Sequence, residues 1–393
     1  MKKETKKTNE NILMIVLAFM SFSVGIWSNY RQLWLQEAGF SVSEISKILS
    51  VALVCSSIIC LIMTFFSAKI KIKNIMVLSF VFRSISMIAL FFVNSIFAVK
   101  TLILLGIMCE VIFNITFYPL LTFESKTDEA FQRKTIINYF GKDIGIVGCG
   151  LLMGFTIGKY VFDYNTCLLI ATISAIIGLF YLVKFKSSQD LAKNPSTLFG
   201  QFKDIFSLKL NRIFLYNQLI MNISYGIVFD LIMIILTTYI GFNIAFTSVF
   251  IIVCNMLGTV ASAILNKYSK NYSIGLSSVI KFGFRAISYI VAFALNTKMS
   301  FIIAIVIGYI TCRILEDKVT GKFLQIVDEN NQLFYGNVRY FIISLGEGIG
   351  AFIAGVLLTS SLRLLFLGAA IITILQTIIM LYLSKLRKNI KDA

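Results

Sequence analysis

Twelve apolar stretches dominate this chain, each close to the roughly 20 residues that a helix needs to cross a bilayer. They fall at 11–36, 43–67, 74–95, 97–122, 135–158, 164–184, 212–238, 244–266, 273–295, 299–322, 338–360 and 364–384. In hydrocarbon every backbone amide must find its partner inside the protein, so stretches of this length fold as spanning helices. The short alternating segments of a membrane β-barrel are absent. Too little polar sequence remains between the stretches to clothe a soluble domain. Of the 393 residues, 58% are hydrophobic and 14% charged, against about 25% charged in soluble domains. The expected fold is an all-α integral membrane protein of twelve transmembrane helices. Lys2-Lys3 before an apolar run has the look of a signal peptide, but no small-x-small cleavage site follows, so the first helix is read as retained.

Twelve crossings put both termini on one side. Lysines and arginines then fix which side. The terminal side gathers nearly all of them, while the opposite loops hold Lys47, Lys100, Lys159, Lys298 and Arg363. The positive-inside rule therefore expects both termini in the cytoplasm and the protein in the cytoplasmic membrane. The net charge of +17 is then mostly topology, with attraction to anionic lipid added. No nucleic-acid partner is implied.

What is missing narrows the chemistry. There is no histidine, so no histidine base or histidine metal ligand exists. The seven cysteines (Cys55, Cys60, Cys109, Cys149, Cys167, Cys254 and Cys312) lie in apolar runs with no C-x-x-C pair. They read as small core residues rather than disulfides or a metal site. No G-x-x-x-x-G-K-[ST] phosphate loop occurs, so ATP is not used directly. No cofactor and no metal are expected.

The longest polar connection, 185–211, separates the sixth and seventh spans. Within it Leu198, Phe199, Phe202 and Phe206 share one side, the pattern of an amphipathic helix lying at the membrane surface. The chain is thus divided into an N-terminal half (1–184), a cytoplasmic linker (185–211) and a C-terminal half (212–393), with six spans in each half.

The halves repeat. At a shift of 202 residues, FVFRSISMIALFFVNS (80–95) aligns with FGFRAISYIVAFALNT (282–297), and half the positions are identical. The matches include Phe80/Phe282, Arg83/Arg285, Ser86/Ser288 and Asn94/Asn296. The same shift aligns Gly39-Phe40 with Gly241-Phe242. A shift of 205 pairs Gly141, Ile144, Gly145 and Gly150 with Gly346, Ile349, Gly350 and Gly355. Apolar helices match often by chance; a shared intramembrane arginine and a shared glycine register do so far less. Six helices separate the copies, so the repeats run parallel, which is one plan for secondary transporters.

With these features the chain resembles the major facilitator superfamily. The likeness covers nearly the whole sequence. Shorter motifs add to it: Ser262-Ala263-Ile264-Leu265-Asn266-Lys267-Tyr268-Ser269-Lys270-Asn271 is a softened copy of the family's G-x-L-x-D-R-x-G-R-R signature. At the first position of that signature Ala68-Lys69 stands where Asp-Arg is expected. The glycines Gly141, Gly145, Gly148, Gly150 and Gly154 echo the fifth-helix motif of the family's antiporters without its proline. Antiport therefore does not follow from them, and tight helix packing is their simpler reading.

Ionisable residues inside the hydrocarbon cost roughly 2.5–3.5 kcal/mol each on insertion scales, so they stay for a reason. The resemblance implies that helices one, four, seven and ten line a central cavity. Candidate substrate contacts on those helices are Trp27, Tyr30 and Arg31; Glu110, Asn114 and Tyr118, stacked at i, i+4 and i+8; Asn222, Tyr225 and Asp230; and Arg313 and Glu316. Without histidine, a proton must ride on a carboxylate, and Glu110, Asp143 and Glu347 are the candidates. Arg83, Lys142 and Arg285 read as structural charges, with Arg83 expected to pair with Glu110 or Asp143.

These residues and the resemblance point to a secondary transporter working by alternating access. It would be a proton-coupled exporter of amphipathic organic compounds, acting as a monomer among membrane lipids. Two alternatives stay open: an uptake carrier for a charged or zwitterionic metabolite, and a flippase for a lipid or lipid-linked substrate. A membrane-embedded enzyme is disfavoured because the loops are short and no nucleophile–base pair appears.

Overall fold

The computed structural model describes residues 2–66, 71–124, 128–157, 160–186, 206–207, 209–268, 274–313 and 332–391. These residues form twelve long helices. In chain order they are α1 (Lys2–Glu37), α2 (Val42–Phe66), α3 (Ile72–Leu90), α4 (Ile96–Glu124), α5 (Asp128–Leu152), α6 (Tyr164–Lys184), α7 (Lys209–Phe229), α8 (Ile244–Tyr268), α9 (Ile274–Leu295), α10 (Lys298–Arg313), α11 (Gln332–Ser360) and α12 (Leu362–Lys391). Each corresponds to one of the twelve apolar stretches. Nine of the helices described are long and apolar enough to cross a membrane. This is a multi-pass membrane protein with an all-α fold.

Three details depart from the sequence reading. The fifth span was expected to run to 158, but α5 ends at Leu152 and Gly154 takes φ +78, a left-handed geometry that glycine adopts without a Cβ penalty. Two-residue strands, Thr156–Ile157 and Tyr160–Val161, follow as a small antiparallel hairpin. The seventh span is not one continuous helix. Asp230 and Leu231 form a turn, after which the chain resumes as Ile232–Ile234 and a π-helical stretch, Ile235–Ile240. A wide turn of this kind marks a local defect in the backbone ladder. Gly241, at φ +90, closes it.

The chain divides into two compact units. One comprises Met1–Ser41, Val51–Asn194 and Phe242–Val249; the other comprises Val42–Ser50, Pro195–Gly241 and Phe250–Ala393. In the first unit α1 packs on α5 and α6, and α3 packs on α4 and α6; in the second, α7 packs on α11 and α12, and α9 packs on α10 and α12. The repeat in the sequence is thus a repeat in packing.

Glycines make the closest of these crossings. A Cβ on Gly25 would run into the carbonyl oxygen of Lys142, and one on Gly145 would stand 2.7 Å from that of Phe22, so α1 and α5 touch backbone to backbone. In the second unit a Cβ on Gly226 would meet the Glu347 carbonyl oxygen at 2.5 Å, and one on Gly350 would run into that of Ile223. Close approach through small residues is how membrane helices gain packing energy where lipid offers no hydrophobic gain. The packing reading of this glycine register fits the geometry.

The repeated segment shows why its residues recur. Phe80 and Phe282 are buried, as are Arg83 and Arg285, whereas Phe82/Phe284, Ile85/Ile287 and Ile88/Ile290 are exposed apolar side chains. α3 and α9 therefore each carry one apolar stripe suited to lipid and one face turned into their unit. The first unit's interior is a cluster that includes Leu13, Leu17, Phe80, Phe113, Phe117 and Phe185. Phe80 meets Phe113 edge to face at 5.4 Å.

Candidate functional site

Within the first unit, three helices bring polar groups together deep in the apolar bundle. Arg83 on α3 is fully buried, and its Nη1 donates to Oε1 of Glu110 on α4 in an ion pair. Its Nη2 donates to Ser23 Oγ on α1 at 3.2 Å. Ser28, a turn and a half further along α1, donates to Glu110 Oε2 at 3.2 Å. The guanidinium of Arg31, also buried, lies near enough to act on Glu110 electrostatically. Glu110 is therefore shared among three helices. Of the two partners expected for Arg83, the structure brings Glu110. The serines on α1 were not foreseen: a serine in an apolar helix carries no sequence signal until its neighbour is known.

Other expected residues sit around this cluster. Trp27 is buried on α1, and its ring lies 5.7 Å from that of Trp34. Tyr30 ties α1 to its neighbours. It is 0% exposed, its hydroxyl bonds the Ile146 carbonyl of α5, and Ser248 Oγ lies 2.7 Å away. Through the Ile146 bond Tyr30 holds α1 against α5. Asn114 is exposed and does not join the cluster. Lys142 and Asp143 are half-buried on α5, at the α1 crossing that Gly25 makes possible. The side chains of Tyr118 and Arg313, all of Glu316 and most of the 185–211 linker lie outside the described residues.

The second unit has its own polar group. Tyr225 on α7 has its ring 5.0 Å from that of Phe229, tilted by 30°, and lies near Cys312, Tyr309, Glu347 and Asp230. Asp230 lies at the α7 break. Asn222 spends its amide on the Gln218 carbonyl at 2.7 Å and lies against α11, since a Cβ on Gly346 would stand 2.9 Å from its own Cβ. Arg285 on α9 is 1% exposed; its Nε donates to Thr311 Oγ1 at 2.9 Å and its Nη2 to Cys312 Sγ at 3.1 Å. Lys281, one turn earlier, is also buried, with Nζ 3.5 Å from the Cys312 carbonyl oxygen. Among the described residues no group of three or more His, Cys, Asp or Glu side chains is placed to hold a metal.

A comparison with family models finds no match, and one with curated proteins finds none either. Solved structures do match. A bacterial homologue of the human lysosomal transporter Spinster, inward-facing and unoccupied, superposes with a TM-score of 0.75 at 10% identity over 97% of each chain. A proton-dependent oligopeptide transporter gives 0.73 at 13% identity over 98% of this chain and 99% of its own. The nucleoside transporter NupG gives 0.71 at 13% identity, covering 95% of this chain and 98% of its own. The chain has the major facilitator fold. At these identities the likeness fixes the architecture and leaves the ligand to be argued from the site.

Proposed function

We propose that this chain is a secondary transporter that exports amphipathic organic compounds across the cytoplasmic membrane by alternating access, driven by protons, as a monomer with both termini in the cytoplasm. The halves 1–184 and 212–393, joined by the 185–211 linker, are the moving parts in this reading. The observation that carries it is the Arg83–Glu110 pair, buried among α1, α3 and α4 with Ser23, Ser28 and Arg31 around it. A scaffold gains little from buried ions, since a well-packed apolar pair is as stable or more so. A carrier gains a switch. A proton arriving at Glu110 cancels the charge that holds Arg83, and three helices are then released from one contact. Asp143 and Glu347 are the other carboxylates that take a proton in this reading. The fold, shared with proteins whose ligands are nucleosides and peptides, supports solute transport, and short loops leave little room for other chemistry.

The test is flux in proteoliposomes under an imposed pH gradient, with amphipathic dyes as the solutes. Glu110→Gln and Asp143→Asn are expected to insert and purify yet lose gradient-driven flux. Wild-type rates in both variants would remove these residues from the coupling path. Inside-out against right-side-out vesicles decides between export and uptake.

A further inference from the structure

The 202-residue shift that superposes Arg83 on Arg285 carries Glu110 to Cys312. The first copy of the repeat pairs its buried arginine with a carboxylate; the second has a thiol there. The contrast is visible atom by atom. Arg83 Nη1 holds Glu110. Arg285 bonds Thr311 and Cys312 through Nε and Nη2, both uncharged partners. Arg285 is 1% exposed, and no carboxylate among the described residues pairs with it. A cation this deep with no anion among the described residues is costly, several kcal/mol in effective terms. The cost is not an accident of a depleted site, because the neighbourhood has gained polarity. Lys281 stands where the first copy has Ser79, and Tyr289 where it has Met87. Tyr289 is 0% exposed, lies in the field of Arg285, and its hydroxyl has no hydrogen-bond partner. So among the described residues the second copy holds an arginine with no carboxylate partner and a phenol with no acceptor.

We propose that Arg285 is the anchor for a carboxylate on the transported compound, which takes the place that the Glu110 side chain fills in the first copy. This inference rests on the transport reading above and names the polar head of its amphipathic solute. A cysteine side chain stops where a glutamate's Cγ begins to branch onward, so the substitution brings no internal carboxylate to the guanidinium, and the transported compound supplies one instead. Guanidinium and carboxylate match in a planar, two-bond geometry that lysine or a neutral donor does not reproduce. Phe282, with its ring 5.8 Å from the Arg285 guanidinium, backs the site and keeps that side dry.

The experiment uses the full chain in detergent and follows thermal unfolding at fixed pH and ionic strength. Benzoate is compared with benzamide, and glutarate with glutaramide. A ligand that binds only the folded state raises the melting temperature saturably. The expected result is a rise with the acids and none with the amides. Cys312→Glu is the decisive variant, since it builds the first copy's internal carboxylate into the second. It is expected to fold, to melt no lower than wild type without ligand, and to lose the response to acids by at least tenfold in apparent affinity. Cys312→Ser, which cannot ionise, keeps the response. Equal shifts with acids and amides, or an undiminished acid response in Cys312→Glu, would overturn the inference. Flux in proteoliposomes separates it from the reading beneath it. Gradient-driven flux of neutral or cationic dyes with no acid response sinks the anchor and leaves the transporter. An acid response with no flux of any solute sinks the transporter and leaves the anchor.

Discussion

Removing the two repeated arginines has opposite consequences, although they sit at equivalent positions in the sequence. Arg83→Met strands the Glu110 carboxylate in the bundle, and Glu110→Met strands the Arg83 guanidinium. Breaking a buried ion pair from one side typically costs about 3–5 kcal/mol. Glu110 keeps Ser28 at 3.2 Å and the nearby charge of Arg31, so the loss in Arg83→Met falls near the lower end, about 3 kcal/mol. Among the described residues Arg83 keeps only Ser23, also at 3.2 Å, so Glu110→Met costs at least as much. The double variant Arg83→Met/Glu110→Met buries no charge, and it is expected within about 1 kcal/mol of wild type, because replacing both partners with apolar groups is often neutral. The coupling between the two sites is therefore about 5 kcal/mol or more. Arg285→Met strands nothing. It gives up the bonds to Thr311 and Cys312, about 1 kcal/mol each, and it removes a buried cation whose desolvation costs several kcal/mol. It is expected to be neutral or stabilising. Equilibrium unfolding of the purified variants in one detergent measures all four. Additive losses in the double variant, or an Arg285→Met loss equal to that of Arg83→Met, would refute the charge argument and leave both arginines as packing residues.

Three further outcomes test the packing and the caps. Gly145→Ala and Gly350→Ala push a Cβ against the Phe22 and Ile223 carbonyl oxygens and are expected to lose about 1–3 kcal/mol by overpacking; Gly148→Ala, with nothing within 4 Å, is expected to gain up to about 1 kcal/mol from helix propensity, and thermal unfolding of the three reads the difference. Tyr30→Phe leaves the Ile146 carbonyl and Ser248 without their shared hydroxyl and is expected to cost about 1–3 kcal/mol, again read by unfolding. Asp163 caps α6, accepting from Thr166 N at 2.8 Å and Thr166 Oγ1 at 2.7 Å; partial burial raises its carboxyl pKa, but these bonds outweigh it and hold the carboxyl below its usual range. A carboxylate lowered by folding adds stability above its unfolded pKa and loses it as pH falls through the folded one, so wild type is expected to lose stability below about pH 4 more steeply than Asp163→Asn, compared by melting temperature across an acid series.

The helices were legible because the bilayer asks one thing of every span, a run of apolar side chains about 20 residues long, and local composition reports it. The α7 break was not, because Ile227 to Leu236 read as uninterrupted span apart from Asp230, with no glycine or proline among them. The repeat was half legible. Arg83 and Arg285 announced themselves because an intramembrane arginine is rare enough to survive comparison. Their partners did not, because Ser23, Ser28, Thr311 and Cys312 are ordinary residues of apolar helices until a guanidinium is placed beside them. Yet the shift that matched the arginines already matched Glu110 to Cys312, so the asymmetry was written in the sequence one step beyond the identities. Identities in a repeat mark what both halves need, the inward arginine and the lipid-facing phenylalanines. The differences mark where the halves diverge: Arg83 is paired with the Glu110 carboxylate, whereas among the described residues Arg285 bonds only the uncharged Thr311 and Cys312.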